Sequence, residues 1–284
     1  MLLPVPSLGR LDVGDDGVMR IARIFPTKTS MSPVDEDVYF GAPDLFTSRY
    51  DEIHISVTFT WDIPKAKMMA NWWQGYGRIK IGGVAINGES IEPMIEGKYL
   101  KKGITITSRG CPKECWFCMV RKSKLIELEY FPKGNIIQDN NILSCSERHL
   151  DKVFSMLKTQ KQIEFKGGLD KRKITPDIAQ ELKKLRIKSL WLASDSTPEL
   201  RQLEKAINIL RDADFKQDQI FCYALCGFDM ADEEKRMRKI FQMGALPFAQ
   251  LYRNTQDDIR YSKEWRRFQR RWCRPAIIKS YVGG

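Results

Sequence analysis

Six short runs rich in β-branched and aromatic residues constrain this chain more than any other feature. They are "ITITS" (104–108), "NIIQDN" (135–140), "QIEFKG" (162–167), "KSLWLAS" (188–194), "QIFCYALCGF" (219–228) and "LPFAQLY" (246–252). Between most of them apolar residues recur at three- and four-residue steps, the signature of amphipathic helices. One such set is Leu150, Val153, Phe154 and Leu157; the next is Ile178, Leu182 and Leu185. A third is Leu200, Leu203, Ile207 and Leu210, and a fourth Met237, Ile240 and Phe241. Ser144 with Glu147 has capping-box spacing, Thr175-Pro176 and Thr197-Pro198 read as helix starts, and Gly244 as a helix stop. Repeated strand–helix units imply parallel strands joined by right-handed crossovers. Six units fall short of an eight-fold barrel, so the expected fold is α/β: a partial, open (βα)6 barrel over residues 101–255. Sites in such folds lie at the C-terminal ends of the strands.

Residues 1–100 read as a separate small α/β module. Strands are expected at "MRIARIF" (19–25), "EIHISVTF" (52–59) and "RIKIGGVAI" (78–86), with a helix at "IPKAKMMANWWQ" (63–74). The polar stretch "NGESIEPMIEGKYLKKG" reads as a linker. Gly82-Gly83 reads as a tight turn or a close backbone approach more readily than as a phosphate loop.

"GITITSRGCPKECWFCMVRK" (103–122) carries the chemistry. Cys111, Cys115 and Cys118 follow the first strand of the repeat, where a site belongs. Seven cysteines, an odd count, with no apolar segment resembling a secretory signal, indicate reduced thiols and a cytoplasmic protein. No apolar run approaches the ~20 residues needed to cross a bilayer, so no membrane role is expected. Three thiolates can hold three irons of a cubane [4Fe–4S] cluster and leave the fourth iron open. A structural zinc site would need a fourth ligand, and neither Cys145 nor His149 stands at a familiar finger spacing.

"TSRGCPKECWFC" resembles the signature of the radical S-adenosylmethionine superfamily. It is most similar to the branch that carries a cobalamin-binding domain, whose members often read T-S-R-G-C-P here. The resemblance covers residues from about 100 to 255. It implies an enzyme whose cluster, held by Cys111, Cys115 and Cys118, binds S-adenosyl-L-methionine at its open iron. Reductive cleavage then gives a 5′-deoxyadenosyl radical that abstracts hydrogen from substrate. A low-potential electron donor of flavodoxin or ferredoxin type is implied.

Other positions carry over one by one. Phe117 matches the aromatic that lies against adenine. Asp139, Asn140 and Asn141 end the second strand, where the family places groups that bind the methionine amino group; a turn before the helix is the plain alternative. Ser194 and Asp195 end the fourth strand, where ribose or carboxylate ligands occur, and could equally start the next helix. Gly227 and Asp229 match a glycine-containing stretch near adenine. Lys166-Gly167-Gly168 is a further close approach or simply a loop. Gln250, Tyr252 and Arg253 are expected to line a substrate pocket.

The chain also departs from the family. The N-terminal module is similar to a truncated, Rossmann-like cobalamin-binding domain, but His54 lacks the flanking Asp and Gly of the cobalt-ligand motif, which makes cobalamin doubtful. No cysteine precedes Cys111, which argues against methylthiotransferase chemistry. Cys145, Cys222, Cys226 and Cys273 read as buried small residues rather than as a second cluster.

The formal charge of +11 is uneven. From Arg253 onward nine Lys/Arg face three acids, so this tail carries +6. Within residues 256–284, "RYSKEWRRFQRRWCR" puts Tyr261, Trp265, Phe268 and Trp272 on one helix face with arginines around the rest. Docking of the aromatic stripe is the plain expectation; an anionic substrate such as a nucleotide or RNA is the functional one. The competing reading of the whole chain is a zinc-stabilised, non-catalytic nucleic-acid-binding protein.

Overall fold

The computed structural model describes residues 19–86, 98–253 and 259–283. The chain divides into two compact units, Met1–Lys102 and Gly103–Gly284. Most of the segment read as a linker lies outside the described residues.

In the first unit, β1 (Ile21–Ile24), β2 (Val38–Tyr39), β3 (Glu52–Ser56) and β4 (Arg78–Gly82) form one parallel sheet in the order β2-β1-β3-β4. Helix α1 (Ile63–Trp72) connects β3 to β4, with a proline in its first turn. Alternation sorts the sheet's two faces. Ala22, Ile24, Ile53 and Ile55 pack with Ala66, Met69 and Trp73. Glu52 and His54 project from β3 between them, on the other face. Strand β2 was not expected, because two residues are too few to show an alternating pattern. Gly83, at φ +117°, sits where an added Cβ would crowd the Val57 backbone, so the glycine pair is a close approach as expected.

The second unit holds the repeat. Strands β5 (Ile104–Thr105), β6 (Ser108–Arg109), β7 (Ile126–Glu127), β8 (Ile136–Ile137), β9 (Ile163–Phe165), β10 (Ile187–Ala193), β11 (Ile220–Cys226) and β12 (Leu246–Leu251) occur in that order. Six of them make one parallel sheet, ordered β12-β11-β10-β9-β8-β5. Each strand lies beside its neighbour in the repeat. β6 and β7 instead form a small antiparallel pair across the cysteine loop.

The crossovers contain α2 (Glu147–Lys158), α3 (Pro176–Lys183), α4 (Leu200–Asp212) and α5 (Met230–Gln242). Right-handed crossovers between sequential strands put their helices on one face. Accordingly Leu190, Leu192, Cys222 and Ala224 share a core with Val153, Leu182, Leu203, Ile207 and Met237. The alternate residues Trp191, Phe221, Tyr223 and Phe248 stack on the opposite face, with Trp191 4.5 Å from both Phe221 and Tyr223. Thr175 caps α3 as expected. Helix α2 differs: its cap is Ser146, whose hydroxyl accepts from the His149 N–H, while Ser144 ends a short 3-10 turn.

Helix α6 (Lys263–Trp272) docks its aromatic stripe, burying Phe268 and Trp272, and α7 (Pro275–Gly283) follows. The Trp272 indole N–H donates to Glu234 at 2.6 Å. Glu234 also takes the Tyr281 hydroxyl at 2.9 Å and pairs with Arg238. Replacing Trp272 with Ala removes a fully buried ring and its hydrogen bond. The expected loss is about 3–5 kcal/mol of unfolding free energy, read from urea denaturation.

Candidate functional site

The cysteine loop is built from both ends. β5 runs into Thr107 and Ser108, and the chain then turns at Gly110, at φ +87°. A Cβ there would overlap the Lys124 carbonyl, so no other residue fits. The loop closes where the Cys111 N–H donates to the Ser123 hydroxyl (2.9 Å) and the Ser123 N–H to the Cys111 carbonyl (2.9 Å). Inside it the Cys118 N–H donates to the Cys115 carbonyl at 3.0 Å. Cys111 is buried, Cys118 half-buried and Cys115 exposed.

Three consecutive residues after β8 hold the loop from below. The Asp139 carboxylate is buried and accepts the Thr107 N–H at 2.6 Å, the Ser108 hydroxyl at 3.0 Å and the Thr107 hydroxyl. Asn140 accepts the Gly110 N–H at 3.1 Å. The Asn141 amide donates to the Cys111 sulfur at 3.4 Å, while its own Oδ1 is buried without a partner. Asp139 and Asn140 thus hold the loop start, and Asn141 is the member that touches a thiol. Gly167 presses against the Asp139 backbone so closely that a Cβ would overlap it, which makes the glycine pair after β9 a close approach.

Asp195 ends β10 and accepts the Leu225 N–H at 3.1 Å; its own N–H donates to Glu199 at 2.9 Å. Glu199 is held by the Lys171 ammonium at 3.1 Å, which also donates to the Ala193 carbonyl at 2.8 Å. Burial pushes the Asp195 carboxyl up to about 6, with Glu199 adding to the shift and the Leu225 N–H opposing it. Burial also raises the Cys115 thiol, and the charges of Cys118, Asp195, Glu199 and Cys111 add to that rise. Such a site resists holding bare thiolates. Ser194 is fully buried, its hydroxyl 3.5 Å from the Ser196 carbonyl, with no opening toward a ligand.

After β11 the chain turns at Gly227, φ +118°, against the Tyr261 ring. The buried Glu233 carboxylate accepts the N–H groups of Gly227 and Phe228 at 3.0–3.1 Å and that of Asp229 at 3.4 Å. Asp229 caps α5 by accepting from Ala231 and Asp232. Its carboxylate is therefore engaged in the helix start. Glu233 was missed in the sequence, although an acid in the first turn of a helix is a recognisable signal. Trp116 was missed too. Its ring lies 5.5 Å from Phe117, 5.8 Å from Phe228 and 5.2 Å from Tyr252, which joins the loop to the ends of β11 and β12.

Cys222 and Cys226 point into the helix-facing core, where burial raises both thiols. Among the described residues no three His, Cys, Asp or Glu side chains converge on a single-ion site. No helix among them is long and apolar enough to cross a membrane. The chain matches no family model, no curated protein and no solved structure.

Two outcomes follow from this geometry. Asp139→Ala leaves the Thr107 and Ser108 donors buried without an acceptor, and is expected to cost about 3 kcal/mol in urea denaturation. For Asp195, a folded value near 6 against an unfolded value of 3.8 means stability from this group is present below about pH 4 and lost as pH rises through 6. Asp195→Asn is therefore expected to raise stability at pH 7 by on the order of 2 kcal/mol and to flatten its fall between pH 4 and 6. Paired denaturation curves across that range check this.

Proposed function

We propose that this chain is a radical S-adenosylmethionine enzyme, with Cys111, Cys115 and Cys118 as the thiolates that hold a [4Fe–4S] cluster. The observation that carries the reading is the donor set. Three cysteines share one closed loop at the C-terminal end of the first strand of a sequential parallel sheet, and a buried amide donates to one of their sulfurs. An all-thiol set with amide N–H···S support suits iron–sulfur ligation. When bound, the cluster and S-adenosylmethionine supply one-electron cleavage of a sulfonium bond and a 5′-deoxyadenosyl radical for hydrogen abstraction.

The chain's own residues have separate tasks in this reading. Asn141 orients Cys111 and keeps a spare buried acceptor, Oδ1, suited to an ammonium donor such as the methionine amino group. Asp195 stands close enough to Cys115 for its charge to be felt there. Trp116 and Phe117 pack edge to face within the loop, and Trp116 keeps much of its ring exposed. The sequential strand order supports a sheet that curves into the partial (βα)6 barrel.

The exposed Cys115 edge is the approach for a low-potential flavodoxin or ferredoxin. His54 does not fit a cobalt ligand. Both His54 ring nitrogens are engaged, one with the Tyr99 hydroxyl and the other with Glu52 at 2.6 Å, leaving no lone pair for cobalt. Burial holds that imidazole below its usual pKa.

Anaerobic reconstitution is expected to give a brown protein with about four iron and four sulfide per chain. Dithionite and S-adenosylmethionine should then yield 5′-deoxyadenosine. The Cys111→Ala/Cys115→Ala/Cys118→Ala variant should do neither. Uptake of one zinc without sulfide, or deoxyadenosine from the triple variant, would overturn the reading.

A further inference from the structure

The rings beside the cysteine loop and the start of α6 meet through Tyr261. Trp116 and Phe228 are each 58% exposed, and with Tyr252 they form a group whose centroids lie within 5.2–5.8 Å of one another. Single exposed aromatics are ordinary; three that touch, at the end of a parallel sheet, form a stacking surface. None of the three is in the helix–sheet core.

Tyr261 ties this group to α6. Its ring fills the space beside Gly227, and its hydroxyl donates to the Tyr252 carbonyl at 2.8 Å. From there α6 runs with Phe268 and Trp272 buried, while Arg266, Arg267, Arg270 and Arg274 are exposed. Arg271 turns toward Glu234, but among the described residues none of those four arginines takes a carboxylate partner. The helix therefore presents a net cationic row, with the one acid of α6, Glu264, near Arg267.

We infer that this surface binds single-stranded RNA, with the α6 arginines on its phosphates and bases stacked on Trp116, Phe228 and Tyr252. A cationic track joined to aromatic platforms matches single-strand chemistry, because both base faces are buried in a duplex. RNA is the source in which unpaired, splayed bases are ordinarily presented, in loops and ends. A bare polyanion would use the arginines and leave the rings uncovered. The assignment of RNA as substrate rests on the radical-enzyme reading; the binding itself does not.

The test uses the full chain, with and without reconstituted cluster, and three probes: a 16-nucleotide oligo(U) RNA, its duplex with oligo(A), and heparin. Oligo(U) is expected to bind more tightly than the duplex. Arg266→Glu/Arg267→Glu/Arg270→Glu/Arg274→Glu should weaken it on the order of a hundredfold and lower its salt slope by about 3. Trp116→Ala/Phe228→Ala should weaken oligo(U) about tenfold while leaving heparin binding unchanged. Circular-dichroism melting of each variant confirms folding. Equal affinity for duplex, or equal loss of heparin and oligo(U) in the aromatic variant, overturns the proposal. So does tighter binding of oligo(dT) than of oligo(U), which assigns the surface to DNA. Iron and sulfide uptake by the arginine variant is expected to match the parent, so failure of RNA binding and failure of cluster formation are read separately.

Discussion

The contact on which the second unit's site depends is a carboxylate out of reach of water. Asp139 collects one backbone and two hydroxyl donors from the residues that follow β5, and so fixes where that strand ends and the cysteine loop begins. Burial pushes its carboxyl upward even against those three donors, which shows how dry the position is. The two asparagines that follow extend the same grip to Gly110 and to the sulfur of Cys111. Because β8 and β5 are paired, the loop inherits the rigidity of the sheet rather than that of its own backbone.

Electrostatics opposes ionisation in this loop. It gathers thiols that would repel one another if ionised, next to two carboxylates at the end of β10. In the proposed function a cationic inorganic core would relieve that repulsion. Lys171 keeps the carboxylates from being wholly uncompensated by holding Glu199, which in turn holds the Asp195 N–H. Three of the seven cysteines thus share one loop beyond the end of β5. Cys222 and Cys226 lie on the helix side as small apolar groups.

Much of the architecture could be read from the residues because it is local. Six strand runs at near-even intervals, with helices whose apolar residues face one way, yield a sequential parallel sheet by handedness alone. Strands came out shorter than their runs where the loop required it. "ITITS" contributes only Ile104–Thr105 to the sheet, since Ser108 leaves it to pair with Glu127. The site was less legible. Asp139, Asn140 and Asn141 follow a strand end, but the groups they meet lie 30–32 residues away in sequence, whereas Asp229 takes its donors from the next turn of its own helix. Trp116 was harder still, because contacts between the rings of separate loops leave no periodic trace.

The sequential order of the strands also has a temporal meaning. A ribosome delivers Cys111, Cys115 and Cys118 some twenty residues before it delivers Asp139, Asn140 and Asn141. Through that interval Ser123 can already close the loop on Cys111, but the Asn140 acceptor for Gly110 and the Asn141 donor to Cys111 have yet to arrive. Only when β8 pairs with β5 does the cysteine loop acquire its full set of anchors, so its final shape waits on the sheet rather than on its own backbone.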